Sequence, residues 1–434
     1  MKTLQLLSLF IFLSTILSAQ TIYFPPNNTG SNWESVSPES LGWNTKGLDT
    51  LFGFLDYKNT KAFLVLHNGK IVIEKYYGTF TKDSIWYWAS AGKTVTAFLV
   101  GMAQEKKLLS INDVSSKYLG KGWTSLTTEK ESLITIRHQL SMSSGLNDVV
   151  ADPFCTLPSC LVYKEDASKR WAYHNAPYTL LDKVIENASG QTFNQFYFDN
   201  LRNKIGMDGL FLKQGYNNVN FSTPRSMARY GILIQAGGNW NGTQIMTDTT
   251  YFREMTTQSQ LLNKSYGYLW WLNGYESFML PQSQFVFNGL LQPKAPLDAI
   301  NALGKNGQIL SVSRSTGIVY VRMGDAPDAG EVPTTLSAQI WELLAPVVFP
   351  TVEVDEAQST NNHAFSIYPN PAVSEIRISG NVTESKMRIF NIIGETVFSG
   401  DNVSTVNISS LPRGFYVLQL EKAGEVRHSK FLAK

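Results

Sequence analysis

Apolar and polar residues follow three rhythms along this chain, and each predicts a different kind of element. The first is helical. Residues 94–104 (TVTAFLVGMAQ) form a long apolar, helix-like segment, and residues 179–188 form a second. The second rhythm is extended. Residues 301–310 lead into residues 317–322, two strand-like runs that predict a hairpin whose first strand is marked by glycine. Beyond Pro350 the extended pattern turns into short alternating stretches at 375–378, 387–390, 396–398 and 415–420, separated by turn residues, which predicts a small β-sandwich. The third rhythm is a mainly apolar run from Leu4 to Leu17 that follows Lys2 and precedes Ser18-Ala19. It predicts a secretory signal removed before Gln20, with Leu17 larger than is usual three residues before a cut. The run is short for a membrane span, and no later segment qualifies as one. The predicted organisation is a signal at 1–19, a large domain at 20–352, a polar linker at 353–362 and a small β-domain at 363–434. No internal repeats interrupt it.

Composition narrows the function. A chain of 434 residues suits one large domain plus a smaller one. Its net charge of +2, with no basic stripe, implies no nucleic-acid partner. The five histidines are scattered without metal-ligand spacing, and no organic cofactor is expected. Trp86, Trp88, Trp171, Trp270 and Trp271 flank the candidate chemistry and are expected either in the core or as walls of a cleft. The two cysteines, Cys155 and Cys160, share a Pro-containing loop. In an exported protein they either pair or remain thiols. A bridge over so short a loop stabilises by roughly 2 kcal/mol at most. No Gly-x-Ser-x-Gly occurs, against an alpha/beta-hydrolase.

The candidate chemistry begins at Ser90-Ala91-Gly92-Lys93, at the head of the 94–104 helix. Positions three apart share a helix face, which puts the Ser90 hydroxyl beside the Lys93 amine. A hydroxyl attacks poorly until a base takes its proton, and a neutral amine can be that base. Burial or a neighbouring cation makes a lysine neutral near pH 7. Backbone N–H groups at the helix start favour developing negative charge. The tetrapeptide alone is also what a plain helix N-cap serine looks like. A second element, Tyr173-His174-Asn175, precedes the 179–188 helix. The Tyr173 hydroxyl can relay a proton to a leaving group, and the Asn175 amide can orient Lys93 or hold a substrate carbonyl. Read alone, Tyr173 is equally a buried tyrosine with a satisfied hydroxyl. A third element is Ala302-Leu303-Gly304-Lys305, where glycine in a strand marks close backbone approach and the Lys305 N–H can join that of Ser90 as an oxyanion hole.

These three elements, in this order, resemble the serine beta-lactamase and penicillin-binding protein superfamily, in particular its class C-like branch of esterases, D-aminopeptidases and nylon-oligomer hydrolases. Residues 63–70 with 76–78, 138–146, 222–225 with 228–231, and 266–271 look similar too, and the likeness spans roughly 36–350. It implies an α+β fold: an antiparallel sheet built from both chain ends, covered by helices, with a mainly helical insert between about 100 and 260. It implies Ser90, Lys93 and Tyr173 as catalytic residues, Asn175, Gly304 and Lys305 at the substrate, and a small-molecule, peptide or oligoamide substrate. The chain departs from the pattern where that superfamily's lactamases carry Lys-Thr-Gly. Here Ala302-Leu303-Gly304 stands, and Lys305 is a doubtful substitute because one step along a strand reverses the side chain. An esterase or amidase is therefore expected. The alternatives are a beta-lactamase or D-Ala-D-Ala peptidase, a non-catalytic cell-wall binder, and an adhesin acting through its last domain. Residues 365–371, 391–394, 411–416 and 430–434 resemble the C-terminal sorting domain of type IX secretion cargo, which implies secretion machinery as a partner and a secreted or surface location.

Overall fold

The computed structural model describes residues 21–28, 32–327, 332–350, 365–380, 382–391 and 395–433. The expected signal at 1–19 and linker at 353–362 lie outside them. The chain divides into two compact units, Met1–Thr351 and Val352–Lys434.

In the first unit α1 (Leu48–Tyr57) leads into β1 (Thr60–His67) and β2 (Lys70–Tyr76). After β3 (Trp86–Tyr87) come α2 (Lys93–Glu105), α3 (Asn175–Thr179) and α4 (Leu181–Ser189). The hairpin β4 (Leu210–Gln214) and β5 (Asn217–Ser222) precedes α5 (Pro224–Gln235). The chain then returns through β6 (Trp271–Leu272), β7 (Ile300–Gly304), β8 (Gln308–Ser313), β9 (Ile318–Gly324) and α6 (Thr334–Val348).

One antiparallel sheet of order β2-β1-β9-β8-β7-β6 joins the two ends of the unit. Both its faces are covered. On one, the Trp341 indole of α6 donates to Ser311 Oγ at 3.2 Å and packs on Tyr320. On the other, α5 comes so close at Gly231 that a Cβ there would meet Val319 Cγ1 at 2.5 Å and Leu310 Cδ1 at 2.8 Å. Strands covered on two faces have no solvent side, so β7, β8 and β9 are buried at every position, the polar Asn301, Gln308, Ser311, Ser313 and Arg322 included. The α+β architecture is as expected. The expected first strand of the hairpin, 301–310, is in fact two strands. The chain turns at residues 305–307, where Asn306 (φ 64°) and Gly307 (φ 78°) are left-handed. Between α2 and β6 short helices alternate with long loops and short pairings, of which β4–β5 matters for the site: β5 pairs with β3 and so holds the chain entering α2.

The described residues of the second unit form two antiparallel sheets. One contains β10 (Ser366–Tyr368), β11 (Glu375–Ser379) and β14 (Thr405–Asn407). The other contains β12 (Ser385–Phe390), β13 (Thr396–Asp401), β15 (Gly414–Lys422) and β16 (Glu425–Ala433). Alternation gives it a core: Met387 and Ile389 point in from β12 while Lys386 and Arg388 point out.

Candidate active site

Ser90 sits in a single turn of 3-10 helix, Ala89–Gly92, that runs straight into α2. Three contacts fix that turn. The Trp88 N–H donates to the Asn220 carbonyl at 2.8 Å, the Trp88 indole donates to Ser222 Oγ at 2.7 Å, and the Ala91 N–H donates to the Trp88 carbonyl at 3.0 Å. Ala89 is left-handed (φ 47°), a conformation that costs an L-residue about 1–2 kcal/mol. The anchored neighbours hold it there, and the next residue is the serine.

Lys93, one turn on, is buried at 3% exposure, and its Nζ lies 2.6 Å from Ser90 Oγ. The amine is flanked by two rings, Tyr178 at 4.0 Å and Tyr173 at 5.0 Å from their centroids. Tyr173 is buried and stacks on Trp271 (5.7 Å, 30°), with Tyr266 edge-on beside it. Burial holds the Tyr178 hydroxyl well above the usual phenol range, so that ring stays neutral against the amine. Asn175 is buried as the first residue of α3, and its carbonyl accepts from Thr179 Oγ1 at 3.0 Å.

Gly304, the last residue of β7, abuts the serine turn. A Cβ on it would meet the Trp88 carbonyl at 2.2 Å, the Ala91 nitrogen at 2.9 Å and the Ser90 nitrogen at 3.1 Å. Residues separated by more than two hundred positions thus meet backbone to backbone. Lys305 follows with its side chain exposed, in the turn rather than the strand, so strand alternation ends before it. Ala302 is fully buried and lies two residues before Gly304, on the same face of β7.

The structure thus brings Ser90, Lys93, Tyr173, Gly304 and the start of Lys305 together. Four of the five tryptophans belong to the core rather than to a cleft wall: Trp88, Trp171, Trp270 and Trp271 are 0–1% exposed. Trp86 is half-buried, its indole donating to the Gly324 carbonyl at 3.2 Å. Cys155 and Cys160 are disulfide-bonded in the loop before Tyr173, and the Ala176 N–H donates to the Pro153 carbonyl of that loop.

The profile of the family described as Beta-lactamase matches residues 60–331, more than half of the chain. The chain belongs to the beta-lactamase family. An uncharacterized protein of Alkalihalophilus pseudofirmus is 23% identical over 299 residues, 60% of this chain and 82% of its own. Two solved structures share the beta-lactamase-family fold. A putative 6-aminohexanoate-dimer hydrolase from Bacillus anthracis superposes with a TM-score of 0.56 at 17% identity, over 75% of this chain and 89% of that one. A family VIII carboxylesterase superposes with a TM-score of 0.53 at 16% identity, over 69% and 96%. At these identities the likeness shows the fold. Residues 366–434 match a secretion system C-terminal sorting domain, which makes this beta-lactamase-family serine hydrolase fold part of a secreted or cell-surface protein. Among the described residues no helix is long and apolar enough to cross a membrane.

Three residues beside the beta-lactamase-family site escaped the sequence reading. Tyr178 lies nearer Lys93 than Tyr173 does, and its only signal was its place in the segment after Tyr173. Tyr87 accepts from Asn306 Nδ2 at 2.6 Å, and Arg322 reaches the same turn from β9. A cavity of about 650 Å³ lies elsewhere. Phe252, Arg253, Leu297 and Arg314 line it, and it meets β7 at Ile300, the end away from Ser90.

Proposed function

We propose that this protein hydrolyses a neutral ester or amide through an acyl-enzyme on Ser90. The observation that carries the reading is the 2.6 Å approach of Lys93 Nζ to Ser90 Oγ at the head of a buried helix. Lys93, as the neutral amine, takes the hydroxyl proton as Ser90 attacks the carbonyl carbon. The proton passes by way of Tyr173 to the departing alkoxide or amine, and the same pair then activates water to release the acid. The N–H groups of Ser90 and Lys305 bind the oxyanion, and Asn175 orients the amine or holds a substrate carbonyl. Gly304 supports this by allowing β7 to lie against the Ser90 nitrogen.

The substrate class follows from Ala302. A cation at that position would hold a substrate carboxylate with a charge-assisted bond of about 1.5–3 kcal/mol, and alanine supplies none. Neutral short-chain esters or amides should be turned over better than beta-lactams. The test is a panel of p-nitrophenyl esters, D-amino-acid amides, linear oligoamides and nitrocefin, run on the wild type and on Ser90→Ala. Ser90→Ala should remove turnover of every substrate, on the order of 10⁶-fold as for a lost nucleophile elsewhere. Retention of more than a few per cent would refute Ser90. Nitrocefin hydrolysis matching the best ester would refute the substrate class.

A further inference from the structure

The turn that carries Lys305 is held from beneath by a guanidinium buried in the sheet. Arg322 of β9 has no exposed surface. Its Nη1 donates to the carbonyls of Asn306 at 2.9 Å and Gly307 at 2.7 Å, and its Nε donates to Thr60 Oγ1 at 3.1 Å. Its Nη2 donates to the carbonyls of Lys58 and Asp325. The place is shaped for it. A Cβ on Gly307 would meet Nη1 at 2.1 Å, and one on Gly324 would meet Nη2 at 2.5 Å. Gln308, also fully buried, adds a bond from Nε2 to the Asn306 carbonyl at 3.2 Å and another to the Gly324 carbonyl at 2.7 Å. From the side, Asn306 Nδ2 donates to the Tyr87 hydroxyl at 2.6 Å, and Tyr87 lies three residues before Ser90.

Burying a guanidinium is costly unless its donors are used. Here three of its acceptors are backbone carbonyls of two segments, Lys58 and Asn306–Gly307, which carry no chemistry of their own. An oxyanion donor must point at the developing charge, and a hydrogen bond weakens steeply when its angle falls. We propose that Arg322 is a positioning residue: through the carbonyls of Asn306 and Gly307, with Asn306 tied in turn to Tyr87, it fixes the direction of the Lys305 N–H. The inference rests on the reading of that N–H as an oxyanion donor.

Arg322→Lys keeps the charge but loses the planar fork that spans two carbonyls at once. It should lower kcat by about 10- to 100-fold, below the loss of a whole oxyanion donor, with KM nearly unchanged. Tyr87→Phe removes one oxygen from a half-buried ring and should lower kcat less, with the same signature. Both variants should weaken binding of phenylboronic acid, a tetrahedral mimic, in proportion to kcat. The pH dependence of kcat should keep its shape, since neither variant touches the proton path. These are measured on the best p-nitrophenyl ester, below each variant's melting temperature. Wild-type kcat and boronate affinity in folded Arg322→Lys would overturn the proposal, as would a loss confined to KM. If Arg322→Lys does not fold, Tyr87→Phe decides, and unchanged constants there overturn it. Ser90→Ala, run in parallel, separates the failures: turnover retained by Ser90→Ala refutes the catalytic reading itself, whereas a dead Ser90→Ala beside an unaffected Arg322→Lys refutes only this inference.

Discussion

Lysine and arginine carry the same charge, and the proposed role of Lys93 separates them. Lys93→Arg cannot supply a neutral amine, because a guanidinium keeps its proton in proteins. It should be nearly as damaging to kcat as Lys93→Ala, and an active Lys93→Arg would make the residue an anchor rather than a base. Tyr173→Phe should slow turnover by about 10²–10⁴ while the melting temperature holds, since its ring still stacks on Trp271. Gly304→Ala drives a Cβ to 2.2 Å from the Trp88 carbonyl, with backbone on both sides and no flexible end to yield. It should cost at least about 10²-fold in kcat and lower the melting temperature; a silent Gly304→Ala would mean that β7 does not abut the serine turn. Ser90 and Lys93 were legible in the sequence because a spacing of three is already a geometry on a helix. Tyr178 and Arg322 were not, because only the folded chain brings a ring from α3 and a guanidinium from β9 to residues far away in sequence.

Two neighbouring elements titrate in opposite senses. Asp182 of α4 is buried, and burial pushes its carboxyl up to about 7 against a hydrogen bond from Asn218 and the charge of Lys213. Unfolded, it releases its proton near pH 4. Between these values the folded chain binds more protons, so this group makes stability fall as pH rises from about 4 to about 7. His174, between Tyr173 and α3, is buried and pushed down to about 4, mainly by desolvation, near the Asp148–Arg170 ion pair. The unfolded imidazole protonates near 6.5, so this group makes stability rise with pH between about 4 and that value. The two slopes oppose one another in the wild type. Asp182→Asn should therefore show a melting temperature that climbs from pH 4 to 6.5 and exceeds the wild type at pH 8, converging with it near pH 4. Parallel curves from pH 4 to 8 would count against the buried acid. At this scale the sequence was informative wherever period and burial agree: the helix expected from 94 begins at Lys93, and four strands of the second unit lie where alternation put them. It failed at 305–307, because Gly-Lys-Asn-Gly within an apolar run reads equally as a strand with glycines or as a turn, and the left-handed Asn306 decides.

The whole molecule pairs a beta-lactamase-family unit with a sorting tail, and each unit has its own apolar core. A chain of residues 20–352 should keep the catalytic constants of the full protein. Deletion of 363–434 in the native host should leave active enzyme in the periplasm. An unfolded core, or continued export without the tail, would assign the β-domain to the enzyme instead. The pairing of β1 with β9 has a further consequence. His67 faces Ile318 and Thr60 faces Gly324, so the middle of the sheet waits for residues made some 250 positions later. Until they arrive β1 has an open edge, and the serine turn lacks the strand that completes it. On the proposed reading of Ser90, a nascent or threading chain should be chemically silent, and the first turnover should mark the moment when the N- and C-terminal parts of the unit have met.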